Sequence, residues 1–186
     1  FQDKAAATLL LSNGLIRRSF RLAPNLATVG LDNLMNGENL LRGIKPEAMI
    51  TINGKTYAVG GLKGQTNYAF LRPQDLTQLS LDPEALRFQD YEVGPTEAPF
   101  PWKRLRHHAK DAAWPPKGVH LRLDFAGPAC DISVPYELYD GIPVFAKWLT
   151  VKNTGTESFV LDEFTSEILA AVEFGSAVET REYGIE

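Results

Sequence analysis

The sequence predicts an all-β fold, an antiparallel β-sandwich. Three observations carry that expectation: apolar residues that recur with a period of two, turn residues between the periodic runs, and little helical pattern anywhere in the 186 residues. The clearest run sets Leu121, Leu123 and Phe125 against His120, Arg122 and Asp124, which gives a strand one buried face and one wet face. Roughly ten such runs are too many for a mixed α/β unit of this length, in which each parallel pair needs its own crossover helix.

In chain order, the first strands are expected over Ala7–Leu11, Leu15–Leu22 and Leu26–Leu31, with Asn13-Gly14 turning the chain between the first two. The stretch Asp32–Leu41 mixes Leu34, Leu40 and Leu41 with Asn33, Asn36, Gly37 and Asn39, and reads as an irregular excursion. Asn53-Gly54 sits between Ala48–Ile52 and Thr56–Val59, and both central residues of a type I′ turn need positive φ, so this is a two-residue hairpin. Val59-Gly60-Gly61-Leu62-Lys63-Gly64 follows a strand, but no periodic helix opens after it to offer a phosphate its N-terminus; it reads as a turn. A short helix fits Pro73–Leu81, with Pro73 in its first turn.

A strand is expected over Leu86–Tyr91, and then the pattern lapses. Val93–Gly118 carries Pro95, Pro99, Pro101, Pro115 and Pro116 without a period, and so long an irregular stretch is uncommon in a compact domain unless it is functional or mobile, which makes it the place to look for a ligand. After the strand around Leu123 come Asp131–Leu138, Val144–Lys152, Ser158–Phe164 and Ile168–Phe174, separated by Asp140-Gly141 and Asn153-Thr154-Gly155-Thr156. Leu121, Leu123 and Phe125 should face the core, together with Phe145, Leu149 and Val151. Trp148 falls in step with Val144, Ala146 and Thr150; it can line a concave sheet, but its bulk favours the core.

Composition narrows the function. With 44% apolar and 23% charged residues, the chain fits one globular domain over residues 1–186. Lys and Arg number 19 against 23 Asp and Glu, a net charge of −4, which is the wrong sign for a partner with a phosphate backbone, so no nucleic acid is expected. No apolar run approaches the ~20 residues of a bilayer span. Cys130 is the only cysteine, which excludes an intrachain disulfide and a multi-cysteine zinc site. Phe1 in place of Met, and an end at Glu186 without a cap or polar tail, predict a piece of a longer protein.

The candidate ligand site is the Pro-rich segment. Trp102, Arg104, His107, His108 and Trp114 combine aromatic faces, which stack on the CH faces of sugar rings, with donors for hydroxyls, and carbohydrate is the expected partner. The plainer alternative is a loop anchored by its two tryptophans. Adjacent His107 and His108 diverge on any regular backbone and make a poor metal site, so neither metal nor cofactor is expected. No catalytic residue is assigned: Gly-x-Ser-x-Gly is absent, and no carboxylate pair is fixed at the spacing a glycosidase needs.

One region carries a resemblance. The run Val134-Pro135-Tyr136-Glu137-Leu138-Tyr139-Asp140-Gly141-Ile142-Pro143-Val144 leads through Trp148 to Val151-Lys152-Asn153-Thr154-Gly155 and Leu161-Asp162. It resembles the hairpins of the N-terminal β-supersandwich of melibiase-type α-galactosidases, a galactose mutarotase-like fold. The opening Ser12-Asn13-Gly14-Leu15 is similar to the first hairpin of related secreted bacterial proteins. The resemblance implies a non-catalytic N-terminal domain of a bacterial glycoside hydrolase, secreted or periplasmic. Such a domain supports a catalytic barrel of the same polypeptide and contacts carbohydrate. The family's catalytic aspartates lie on the barrel, so none is carried onto this chain. The alternative reading is a free-standing carbohydrate-binding or structural module.

Overall fold

Asn53 and Gly54 both adopt positive φ, 49° and 76°, and close the hairpin that their sequence announces. In the computed structural model, which describes residues 2–3, 7–98, 100–103 and 113–172, such turns link a series of short strands. The N-terminal strands are β1 (Gln2–Asp3), β2 (Thr8–Ser12), β3 (Ile16–Arg21), β4 (Ala27–Asn33) and β5 (Glu38–Asn39). Next come β6 (Leu41–Gly43), β7 (Ala48–Ile52), β8 (Lys55–Val59), β9 (Leu62–Lys63) and β10 (Ser80–Leu81). The long strands β11 (Arg87–Pro95), β12 (Gly118–Ala126) and β13 (Cys130–Tyr139) precede β14 (Phe145–Lys147), β15 (Thr150–Asn153), β16 (Leu161–Thr165) and β17 (Ala170–Ala171).

The named strands pair antiparallel. β1 to β5 form one sheet in sequence order; β11, β12, β13 and β14 form a second, with β15 also on β13; β16, β7 and β8 form a third. Smaller ladders join β9 to β10 and β6 to β17, and the isolated bridge Val59 to Leu86 is parallel. The fold is therefore all-β and antiparallel, with a sandwich-like architecture. Leu9, Leu11 and Phe20 of the first sheet, Ala48, Ile50 and Val59 of the third, and Leu121, Leu123, Phe125, Ile132, Val134 and Tyr136 of the second share one core. Phe145, Leu149 and Val151 pack against it half-buried, on the side expected of them. Gly60 lets these layers meet: its φ is +65°, and a Cβ there would stand 2.6 Å from the Leu26 carbonyl oxygen.

Several elements differ from expectation. Asp32–Leu41 is a hairpin, because β4 extends to Asn33 and the chain returns through Asn36-Gly37, with Gly37 at φ +79°, into β5. Pro73–Leu81 narrows to a 3₁₀ turn over Pro73–Gln78, held by Asp75, whose Oδ2 accepts the Arg72 backbone N–H at 3.0 Å. The segment Val93–Gly118 begins inside β11, which runs to Pro95, and ends at the first residue of β12, since pairing between these strands outweighs the local lack of period. The run Val144–Lys152 is two strands, and within the described residues the last strand is only Ala170–Ala171.

The core encloses charge. Glu47, fully buried before β7, takes hydrogen bonds on Oε1 from the Thr28 N–H (2.8 Å) and hydroxyl (2.7 Å), and on Oε2 from the Tyr136 hydroxyl and Arg18 Nη2 (3.2 Å). Arg18 Nη1 also donates to Glu167 at 2.7 Å, and Lys147 Nζ lies 3.2 Å from the same carboxylate. Burial pushes the Glu47 pKa up, but Arg18, Lys147 and the two hydroxyl donors outweigh it and hold this carboxyl below its usual range. Burial likewise disfavours the Arg18 cation, yet Tyr136, Glu47 and Glu167 together raise its pKa.

Two stability predictions follow from this packing. Leu123→Ala should cost about 2–5 kcal/mol in urea unfolding, as large-to-small changes in a sealed core do, whereas Arg122→Ala, across the same strand and 42% exposed, should cost far less. Glu47→Gln should cost about 3–5 kcal/mol, because it leaves Arg18 and Lys147 buried with only Glu167 between them. Since the Glu47 pKa is depressed in the fold, its stabilisation is complete above the ordinary glutamate value of about 4.3 and is lost as pH falls through the lower folded value. The thermal midpoint of the wild type should therefore drop more steeply below pH ~4 than that of Glu47→Gln.

Candidate functional site

The alternation that buries Leu121, Leu123 and Phe125 sends His120, Arg122 and Asp124 to the other side of β12. Register carries that side across the sheet: Glu92, Arg122 and Pro135 form one row, and Asp90, Asp124, Ser133 and Thr150 the next. An open groove of about 690 Å³ runs over these rows, with Glu97, Trp148 and Lys152 also on its walls.

Trp148 reaches the groove for a reason written in β13. Its backbone N–H donates to the Pro135 carbonyl at 3.2 Å, but Pro135 has no N–H to return, so the ladder loses a rung and the strand breaks between β14 and β15. Cross-strand neighbours share a face, so the indole emerges beside Pro135 on the outer side, 5.8 Å from the His120 ring between centroids. Trp148 is thus a half-buried groove residue and not a core residue. Its step with Val144, Ala146 and Thr150 was the better guide than its bulk, because the inward places at this level belong to Val134 and Leu149.

The groove is tied together by charge. Arg122 Nε donates to both Asp124 oxygens, at 3.0 and 3.1 Å, and its Nη1 lies 2.9 Å from Glu92. Ser133 Oγ donates to Asp124 at 2.7 Å. At one end Glu137, fully buried, receives the Glu97 N–H on Oε1 at 2.6 Å, with His120 Nδ1 3.4 Å from the same oxygen. No donor among the described residues completes a hydrogen bond to Glu137 Oε2. Partial burial, together with a hydrogen bond to the Glu137 carboxylate and its charge, pushes the Tyr139 phenol up to about 12.

Of the residues singled out in the Pro-rich segment, Trp102 and Trp114 come together with Phe100. The Trp114 ring is 5.2 Å from Phe100 and 5.6 Å from Trp102, and its Nε1 donates to the Phe100 carbonyl at 3.2 Å. Trp102 remains 43% exposed. Arg104, His107 and His108 lie outside the described residues. Among the described residues, no three His, Cys, Asp or Glu side chains gather as a metal site. His120, Arg122 and Trp148 are not among the ligand residues that the sequence singles out; the signals were the outer half of the β12 alternation for the first two and, for Trp148, its step with Val144, Ala146 and Thr150.

Comparison with family models, with curated proteins and with solved structures returns no match to this chain.

Acrylamide quenching should check this placement of the indoles. Trp102→Phe should remove the most quenchable part of the emission, and Trp148→Phe or Trp114→Phe a less accessible part. An unquenchable Trp102 would contradict the exposed position described above.

Proposed function

We propose that this chain is a non-catalytic, carbohydrate-binding β domain of a glycoside hydrolase of the α-galactosidase-like kind, and that the saccharide lies in the groove on the outer face of β11, β12, β13 and β15. The observation that carries the proposal is the Trp148 indole set into an open polar groove beside His120 and Arg122. An aromatic face takes the CH side of a sugar ring, and fixed carboxylate, guanidinium and hydroxyl groups around it read the hydroxyls. Sheet strands hold those groups more rigidly than a loop does. The resemblance around Pro135 and Asn153-Thr154-Gly155 supplies the parent enzyme, its barrel and its exported location as parts of the same reading.

A second reading places the sugar on the cluster of Phe100, Trp102 and Trp114, and the exposure of Trp102 favours it. Titration with galactosides and plant-cell-wall oligosaccharides, followed by tryptophan fluorescence, separates the two. Saturable quenching lost in Trp148→Ala and kept in Trp102→Ala supports the groove. The reverse pattern assigns binding to the cluster, and no response to any glycan overturns carbohydrate binding. The purified chain should not turn over aryl glycosides, because the paired carboxyls of a glycosidase, about 5–10 Å apart, are expected on the barrel. Turnover that a single carboxylate substitution abolishes would refute the non-catalytic role.

A further inference from the structure

The β12 alternation sends His120 to the outer side of the sheet, yet the residue is only 8% exposed, with Glu137 and Trp148 packed around the ring. That setting fixes the chemistry of its two nitrogens. Glu137 Oε1 accepts the Glu97 N–H at 2.6 Å, so this oxygen turns lone pairs, not a proton, toward its neighbours. Nδ1 of His120, 3.4 Å from the same oxygen, can meet it only as an N–H donor. A neutral imidazole with its proton on Nδ1 keeps the lone pair on Nε2, which makes the second nitrogen an acceptor.

The acceptor is open to the groove. No described residue bonds Nε2, and Nε2 is not sealed from solvent either; it touches solvent along the groove that His120 helps to line. The imidazole and the Trp148 indole stand 5.8 Å apart between centroids with their planes at 58°, so the two rings are not stacked face to face. A sugar that rests its CH side on the indole has its rim hydroxyls beside an imidazole that a buried carboxylate holds in place.

We propose that His120 determines specificity in this groove: its Nε2 accepts the proton of a free hydroxyl on the sugar ring stacked against Trp148, and the ligand is a glycan unmodified at that hydroxyl. The proposal rests on the carbohydrate reading above and names the chemistry by which the site discriminates. A sugar that closes over the groove displaces water from Nε2. A free hydroxyl restores the lost hydrogen bond, whereas a methyl ether or an acetyl ester at the same position leaves a buried lone pair unanswered.

The test uses the whole chain at pH ~8, above the ordinary histidine value of about 6.5. The probes are methyl β-galactoside and its mono-O-methyl ethers, one for each free hydroxyl. One ether should bind wild type at least ~5-fold more weakly than the parent galactoside, the scale of a polar group left unpaired. His120→Phe keeps a ring of similar size but no acceptor, and should bring that difference below ~2-fold. His120→Gln, which keeps an acceptor oxygen, should preserve it. A difference that persists in His120→Phe is a steric clash and overturns the proposal, as does wild type that treats all the ethers alike. Nitrogen-15 NMR of the wild-type histidine rings decides the matter without a variant: His120 should show the Nδ1–H tautomer, and its Nε2 resonance should move when the galactoside saturates the protein. An Nε2–H tautomer, or an Nε2 resonance that saturation does not move, overturns the proposal and leaves the carbohydrate reading standing. Failure of the galactoside to bind while a plant-cell-wall oligosaccharide does bind also overturns this proposal alone, and binding of neither overturns both.

Discussion

The carboxylate of Glu47 is the constraint on which the layers of this fold depend. A fully buried anion is tolerated only where donors and cations surround it, and here they come from β3, β4, β13 and β14, through Arg18, Thr28, Tyr136 and Lys147. Any sliding of one sheet over another strands a charge, so the network selects one arrangement from the many that a greasy interface alone would permit. The aromatic contacts obey the same geometry. Arg18 stacks 4.8 Å from the Tyr136 ring centre, and Phe20 meets that ring edge-on at 5.4 Å. Glu167 brings the segment after β16 into the cluster, which ties that part of the chain to the first sheet.

With the inner side of β12 and β13 committed in this way, their outer side is left free to vary. The same two strands that bury Leu123 and Val134 present Arg122, Asp124 and Ser133 to solvent. Pro135 links the two roles. Its missing N–H costs one rung of the ladder, while the register, unchanged from Tyr136 opposite Lys147 to Ser133 opposite Thr150, sets Trp148 beside it on the polar face. A rigid sheet then holds charged groups and an indole in fixed relation, which is what recognition of a ring with hydroxyls on its rim requires.

The loop between β11 and β12 enters this picture at its base. The Thr96 hydroxyl donates to the Pro116 carbonyl, and the Glu97 N–H to Glu137, so the loop is anchored where the groove ends. Further along the loop, Phe100 and Trp102 each pack against the Trp114 ring. Aromatics that satisfy each other have less face to offer a ligand, which is the physical reason to weigh the sheet groove above the loop.

By itself the sequence determined the all-β class, most strands and their turns, because these follow from local rules: the period of two along Leu121–Phe125, and the positive φ that Asn53-Gly54 accepts. It also told which residues of β12 point away from the core, although His120, on that face, is buried against Glu137 and Trp148. Tertiary structure decided the rest. That Arg18 and Glu47, far apart in sequence, neutralise each other inside the core depends on which sheets meet, and no local pattern encodes it. The short strand β5 and the ends of β11 exist because a partner strand satisfies their backbone groups, against weak local signals. Trp148 lies in the groove because Pro135 stands opposite it across a ladder, and only the register between two strands could bring those two residues face to face.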